Sequence, residues 1–237
     1  MIDIILPELP ERELALVSEE FTGPSGHVPR RPAAATTLAG RVALGGPLSV
    51  PVTTELVGRV PELKAYVESE ANKANETDSA AYHLVYFSVS CPQETANPQL
   101  HTVNLDLTLS ADPAGNRRAV FQPVAWSMTP LQLSGEARGA GPAHLGPRLG
   151  FVGQDRATRG ARVCLEARRE LRSDPGWEIR RTPTASIKGT YRLAMVVRAP
   201  RATVSRAVVE VGATVREGHA LRRFRAELPE PLLLATG

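Results

Sequence analysis

The stretch Val204-Ser205-Arg206-Ala207-Val208-Val209-Glu210-Val211-Gly212-Ala213-Thr214-Val215-Arg216 decides the fold class. Taken two residues at a time, it separates into two columns. Ser205, Ala207, Val209, Val211, Ala213 and Val215 are small and almost wholly apolar, whereas Val204, Arg206, Val208, Glu210, Gly212, Thr214 and Arg216 carry the charges. Successive side chains of a strand point to opposite faces of a sheet, so the stretch reads as a strand with one buried face.

The same alternation recurs on both sides of it. In 189–199, Tyr191, Leu193, Met195 and Val197 face inward, with Arg192 and Arg198 outward; in 221–228 the inner face is Phe224, Ala226 and Leu228. Ala199-Pro200-Arg201 and Glu217-Gly218-His219 read as tight turns, which predicts an antiparallel meander of these three strands. Upstream, Val103, Leu105, Leu107 and Leu109 alternate with Thr102, Asn104, Asp106, Thr108 and Ser110. The turn signal Asp112-Pro113-Ala114-Gly115-Asn116 predicts a hairpin to a further strand at 117–122. Residues 82–91 set His83, Val85, Phe87, Val89 and Cys91 against Tyr82, Leu84, Tyr86, Ser88 and Ser90; both faces are substantially apolar, which suits a central strand. Val124–Met128 lies between prolines and reads as an edge or bulged strand. Trp177 and Ile179 begin another.

Helical spacing is rarer. Pro10, the acids Glu11 and Glu13, and Leu14, Val17 and Phe21 on one face predict a short helix over 11–21. Pro61 with Leu63, Tyr66, Val67, Glu70, Ala71 and Ala74 predicts a second over 61–76. Residues 157–172 permit strand or helix, and their good helix formers favour helix. Residues 22–47 and 135–150 are rich in Gly and Pro and read as loops, the first a mobile one. There is no βαβ alternation and no internal repeat. The expectation is a single mainly β domain over 1–237, an antiparallel β-sandwich or open barrel of about eight strands with two or three peripheral helices. Within it, 1–47 is a helix plus the mobile segment, 48–81 a helix-bearing lead-in, and 82–237 the sandwich.

Composition narrows the function classes. With 42% hydrophobic and 22% charged residues over 237 positions, the chain has an ordinary globular make-up. Aromatics at 5% argue against a stacking platform for single-stranded nucleic acid or sugar. The opening Met1-Ile2-Asp3-Ile4-Ile5-Leu6-Pro7-Glu8 lacks the basic start of a secretory signal, and no apolar window reaches the ~20 residues that span a bilayer. A cytoplasmic location is therefore expected. Cys91 and Cys164 form no Cys-x-x-Cys pair and read as buried free thiols. Arginines number 25 against three lysines, which with abundant Ala, Gly and Pro suggests GC-rich bacterial coding.

Charge is unevenly spread. Residues 1–80 hold 7 basic and 12 acidic side chains, a net of −5; residues 81–137 net −2; residues 138–237, with 19 basic and 9 acidic, net +10. Such a split suits contact with an acidic partner, or two halves that attract each other.

Motifs that name a reaction are absent. His27, His83, His101, His144 and His219 show no ligand spacing, and neither a phosphate loop nor a Gly-x-Ser-x-Gly elbow occurs. Ser88, Ser90 and Ser127 have no activating context. Asn104, Asp106, Asp112 and Asn116 could offer oxygens to calcium, but they are also ordinary turn and solvent-facing residues. No catalytic residue, metal, cofactor or small molecule is implied. The candidate site is an arginine set, Arg192, Arg198, Arg206, Arg216, Arg223 and Arg225, expected to project from one solvent face of the meander and to grip carboxylates or phosphates. The resulting reading is a non-enzymatic binding or assembly module that docks an acidic protein partner, or itself, through a basic sheet face. Its acidic partner could be its own N-terminal third; no nucleic-acid reader motif supports the other polyanion. The alternatives are an enzyme with a loop-built site and a membrane-active β protein.

Overall fold

In the computed structural model the decisive stretch is a single strand, Thr203–Glu217. The structure describes residues 1–19, 36–73, 79–92, 99–113, 121–134, 143–152, 162–201, 203–217 and 220–235. In chain order, β1 is Ile2–Ile4, β2 Glu11–Glu13, β3 Leu16–Ser18, β4 Thr37–Leu38 and β5 Ala43–Pro51. Helices α1 (Thr54–Val57) and α2 (Pro61–Ala71) precede β6 (Ala80–Cys91). Then come β7 (Gln99–Pro113), β8 (Val124–Thr129), β9 (Gln132–Ser134), β10 (Ala143–Leu145) and β11 (Phe151–Val152). The last part holds β12 (Val163–Arg168), β13 (Gly176–Arg180), β14 (Gly189–Pro200), β15 (Thr203–Glu217), β16 (Ala220–Glu227) and β17 (Leu232–Ala235).

These strands make three antiparallel sheets. The largest has nine strands in the order β4-β3-β16-β15-β7-β13-β12-β9, with β17 also beside β15; the second runs β2-β5-β6-β14-β8, and the third β1-β10-β11. Among the described residues none of them closes into a barrel, and these residues form a mainly β, sandwich-like fold with two α-helices. Its core lies between the two large sheets. Val103, Leu105, Leu107 and Leu109 of β7 and the Ala207–Val215 column of β15 meet Phe87 and Val89 of β6 and Leu193, Met195 and Val197 of β14. Trp177 reaches across to Phe87, ring centroids 6.4 Å apart, and its Nε1 donates to the Pro130 carbonyl at 3.1 Å.

A second core covers the far face of the five-stranded sheet. Tyr82, Leu84, Tyr86, Ala194 and Val196 pack under Val57 and Leu63 of the helices and under Ile4, Ala143 and Leu145 of the small sheet. Both faces of β6 and β14 are thus buried. Central placement of 82–91, the buried columns of 101–110, 189–199 and 204–216, and the edge position of Val124–Thr129 all agree with the alternation read from sequence. Helix α2 starts at Pro61 as expected and ends at Ala71.

Several expectations are corrected. Strands outnumber the expected eight because many are two to four residues long and leave little periodicity to read. The helix expected at 11–21 is, over its described part, β2 and β3: Leu14 and Leu16, two apart, are both buried, and edges of β5 and β16 are there to pair with. The helix favoured at 157–172 is, over its described part, β12 and a turn. Leu165 is buried between β9 and β13 while Glu166 and Arg168 face out, so sheet neighbours on both sides override helix propensity. The loop read over 22–47 contains β4 and the start of β5, with 20–35 outside the described residues; that over 135–150 contains β10 and a 3-10 turn at Pro147–Leu149. The hairpin from 101–110 to 117–122 lies largely outside the described residues. β7 instead pairs with β15 and β13, and Gln122 side-chain oxygen accepts from the Ala111 amide.

The meander is the correction that matters most. β14 pairs with β6 and β8, whereas β15 pairs with β7, β16 and β17. The chain crosses from one sheet to the other at the Pro200–Thr203 corner, where the Thr203 hydroxyl donates to the Pro200 carbonyl at 3.1 Å. Of the three strands, only β15 and β16 are consecutive antiparallel neighbours. Truncating Trp177 to Ala is expected to lower stability by about 3–5 kcal/mol, with Trp177→Phe milder, because the ring spans the inter-sheet gap. Urea unfolding measures this, and an unchanged midpoint for the Ala variant would show that Trp177 does not anchor the sheets.

Candidate binding groove

Among the described residues, the outer face of the nine-stranded sheet carries no further layer, and there the fold builds a groove. Its floor is set by pairing register. Arg180, Thr102, Thr214 and Arg223 stand side by side on β13, β7, β15 and β16. The next row is Glu178, Asn104, Gly212 and Arg225, and the one after it Gly176, Asp106, Glu210 and Glu227. Small residues occupy the middle strands and long ones the flanks, which leaves a concavity of about 890 Å³ lined by Thr102, Asn104, Gly212 and Thr214 below and by Arg168, Arg222, Arg223 and Arg225 at the sides. A side chain at Gly176 would lie 2.6 Å from the Leu105 carbonyl and 2.7 Å from Asp106 Oδ1, so glycine keeps that row close-packed.

His101 also lines the groove, and a β-bulge puts it there. Thr214 pairs with Thr102 but Val215 pairs with Leu100, so His101 is the extra residue of β7. Strict alternation would send it inward with Val103; the bulge turns it out beside Thr102. The Oδ1 of Asn104, on the floor, is buried without a hydrogen-bond partner.

Most of the arginines around the groove are already committed. Arg168 pairs with Glu178, and Arg180 with Glu178 and with Glu166, the latter at 3.1 Å. Arg169, in the left-handed region at φ 60, ties the turn after β12 to Asp106 at 2.6 Å and Asp174 at 3.0 Å. Arg222 pairs with Glu217 at 3.3 Å, and Arg225 with Glu210 and, at 3.9 Å, with Glu19. Arg223 stands between these last two on β16, exposed and with no ion pair among the described residues.

The six arginines singled out from sequence are therefore split. Arg223 and Arg225 line the groove. Arg206 and Arg216 share its face of β15 but stand towards the strand ends, Arg206 paired with Asp112 at 3.3 Å. Arg192 and Arg198 belong to the other sheet: Arg192 pairs with Glu8 at 3.3 Å, and Arg198 lies 4.2 Å above the Phe121 ring. They do not form one array, because β14 is not in the sheet of β15. Of the oxygens weighed for calcium, those of Asp106 and Asp112 are drawn to Arg169 and Arg206, Asn104 Oδ1 is buried without a hydrogen-bond partner, and Asn116 lies outside the described residues. Thr102, Asn104 and Asp106 were legible as an outward column; His101, placed by a bulge, leaves no local signal.

Other reactive groups are buried. Both thiols are free and buried, and burial pushes Cys91 up to about 12 and raises Cys164, whose Sγ donates to the Leu133 carbonyl at 3.4 Å. Neither is a thiolate at neutral pH. Burial and the Tyr66 hydroxyl 2.8 Å away raise the Tyr82 phenol, which also donates to Glu70 under α2. Among the described residues no helix is long and apolar enough to cross a membrane.

The fold and site together define a layered antiparallel β-sandwich with an open, charge-lined groove. No family model matches the sequence, and no curated protein does. Among solved structures, one titled "Pore forming protein" is similar over 65% of this chain and 78% of that chain, at 8% identity and a TM-score of 0.28. A superposition that loose is below the level at which two chains share a fold.

His83 gives a pH prediction. Both ring nitrogens are buried without partners, and burial lowers its pKa from the ordinary 6.5. The folded state disfavours the protonated ring while the unfolded chain takes up the proton at its ordinary pKa, so the protonation penalty is absent well above pH 6.5 and destabilises the fold increasingly as pH falls below it. Denaturation midpoints between pH 7 and 5 should fall more steeply for the wild type than for His83→Leu; equal slopes would remove His83 from the account.

Proposed function

We propose that this protein is a non-enzymatic binding module whose groove docks an acidic segment of a partner polypeptide. The observation that carries the reading is Arg223, an exposed cation in the groove wall with no acid partner among the described residues, flanked by two arginines that have theirs. A guanidinium presents paired N–H donors that match a carboxylate.

The chain itself offers a precedent for the geometry. Its acidic N-terminal segment already lies along β16, where β3 pairs with Phe224 and Arg225 and the Glu19 amide donates to the Arg223 carbonyl at 2.9 Å. Glu19 also faces Arg225, and Arg222 Nη2 donates to Thr36 at 3.2 Å. An incoming acidic strand would use the same kinds of contact one step further into the groove. Neither a loop-built active site nor a membrane-active hairpin has a comparable observation behind it among the described residues.

Fluorescence anisotropy with a labelled decapeptide of Glu, Asp and Gly tests the reading. Binding is expected to weaken with salt, to fall about tenfold or more in Arg223→Glu, and to be unchanged in Arg192→Gln on the other sheet. Absence of binding by the wild type, or equal loss in both variants, would defeat it.

A further inference from the structure

We infer that the end of the groove marked by Arg223 is a phosphate-monoester subsite, so that the docked acidic segment is a phosphorylated one. This rests on the groove being the docking surface for an acidic polypeptide. The argument for phosphate over carboxylate is the number and kind of donors in one row. Arg223 is directly opposite Thr214, Thr214 is directly opposite Thr102, and the bulge sets His101 beside Thr102. Directly opposed residues on neighbouring strands hold their Cβ atoms about 5 Å apart, so a guanidinium, two hydroxyls and an imidazole line a patch three strands, or about 10 Å, across, with Thr214 at its centre.

A carboxylate has two oxygens, and one guanidinium satisfies both. A phosphate monoester brings about −1.5 to −2 charges at neutral pH and three acceptor oxygens, and needs more donors than one arginine supplies. The hydroxyls of Thr102 and Thr214 and the imidazole of His101 supply them. All four residues line the groove, and the two threonines are only half-buried, so each can reach a ligand.

The rest of the groove restricts an anion to this end. One row away Glu178 holds Arg168 and Arg180, and Glu210 of the row beyond holds Arg225, so the positive charge there is matched and the carboxylates repel a dianion. Rows two residues apart are separated by about 6.8 Å along the strand, far enough for one position to attract phosphate and the next to reject it. The fourth member of the first row, Arg180, is drawn off by its bonds to Glu178 and Glu166.

The test compares an acidic decapeptide containing one threonine with the same peptide phosphorylated on that threonine, by titration calorimetry in one buffer. Phosphorylation is expected to tighten binding by about tenfold or more. In the double variant Thr102→Val with Thr214→Val the ratio of the two affinities should fall towards one, whereas Arg223→Glu should weaken both peptides. Equal affinity of the wild type for the two peptides overturns the subsite and leaves the docking surface standing. Failure of either peptide to bind overturns both. Inorganic phosphate that displaces the phosphopeptide at equal concentration would identify a free-phosphate site and overturn the assignment to a phosphorylated polypeptide. The comparison of the two peptides on wild-type protein needs no variant to fold.

Discussion

β7 and β15 pair along their whole length, from Gln99 opposite Arg216 to Pro113 opposite Thr203, and this pairing sets both faces of the large sheet at once. Inward go Val103, Leu105, Leu107 and Leu109 against the Ser205–Val215 column, which no solvent reaches. Outward go Thr102, Asn104 and Asp106 against Glu210, Gly212 and Thr214. A slip of one residue would exchange the two sets and bury the carboxylates. Core and groove are therefore two sides of one register, and neither can be altered by sliding without losing the other. The small size of the β15 column also matters: Ser, Ala and Val leave room for Phe87, Met195 and Trp177 to fill the space between the sheets.

How much of this could be read beforehand depended on strand length. Strands of ten residues or more, β6, β7, β14 and β15, were legible because alternation over that span has no helical counterpart. Residues 11–18 and 163–168 were not, since two or three alternating positions fit a helix face as well, and what decides them is a neighbouring edge distant in sequence. Sheet membership was the larger failure. Pro200 and Thr203 look like any tight turn, yet the chain changes sheets there, so Arg192 and Arg198 end far from the face that holds Arg223 and Arg225. A bulge such as that at His101 is a relation between two strands, and one strand's residues do not announce it.

Part of the charge imbalance along the chain is taken up by pairs within it. Glu8 meets Arg192, Glu19 meets Arg225, Asp106 meets Arg169 and Asp112 meets Arg206, each joining an acid from the first half to an arginine from the second. Exposed pairs of this kind contribute little stability singly. Their effect is to orient guanidinium groups and to cancel their fields. The surface that results is not a broad positive patch; it is a balanced lattice in which an unmatched cation acquires local meaning.

The ends of the nine-stranded sheet are two and three residues long, β4 at one side and β9 at the other. A growing sheet recruits a new chain through a row of free main-chain N–H and C=O groups, and so short a row offers almost no template. Neither end of the nine-stranded sheet therefore offers a second copy of the chain a strand long enough to extend.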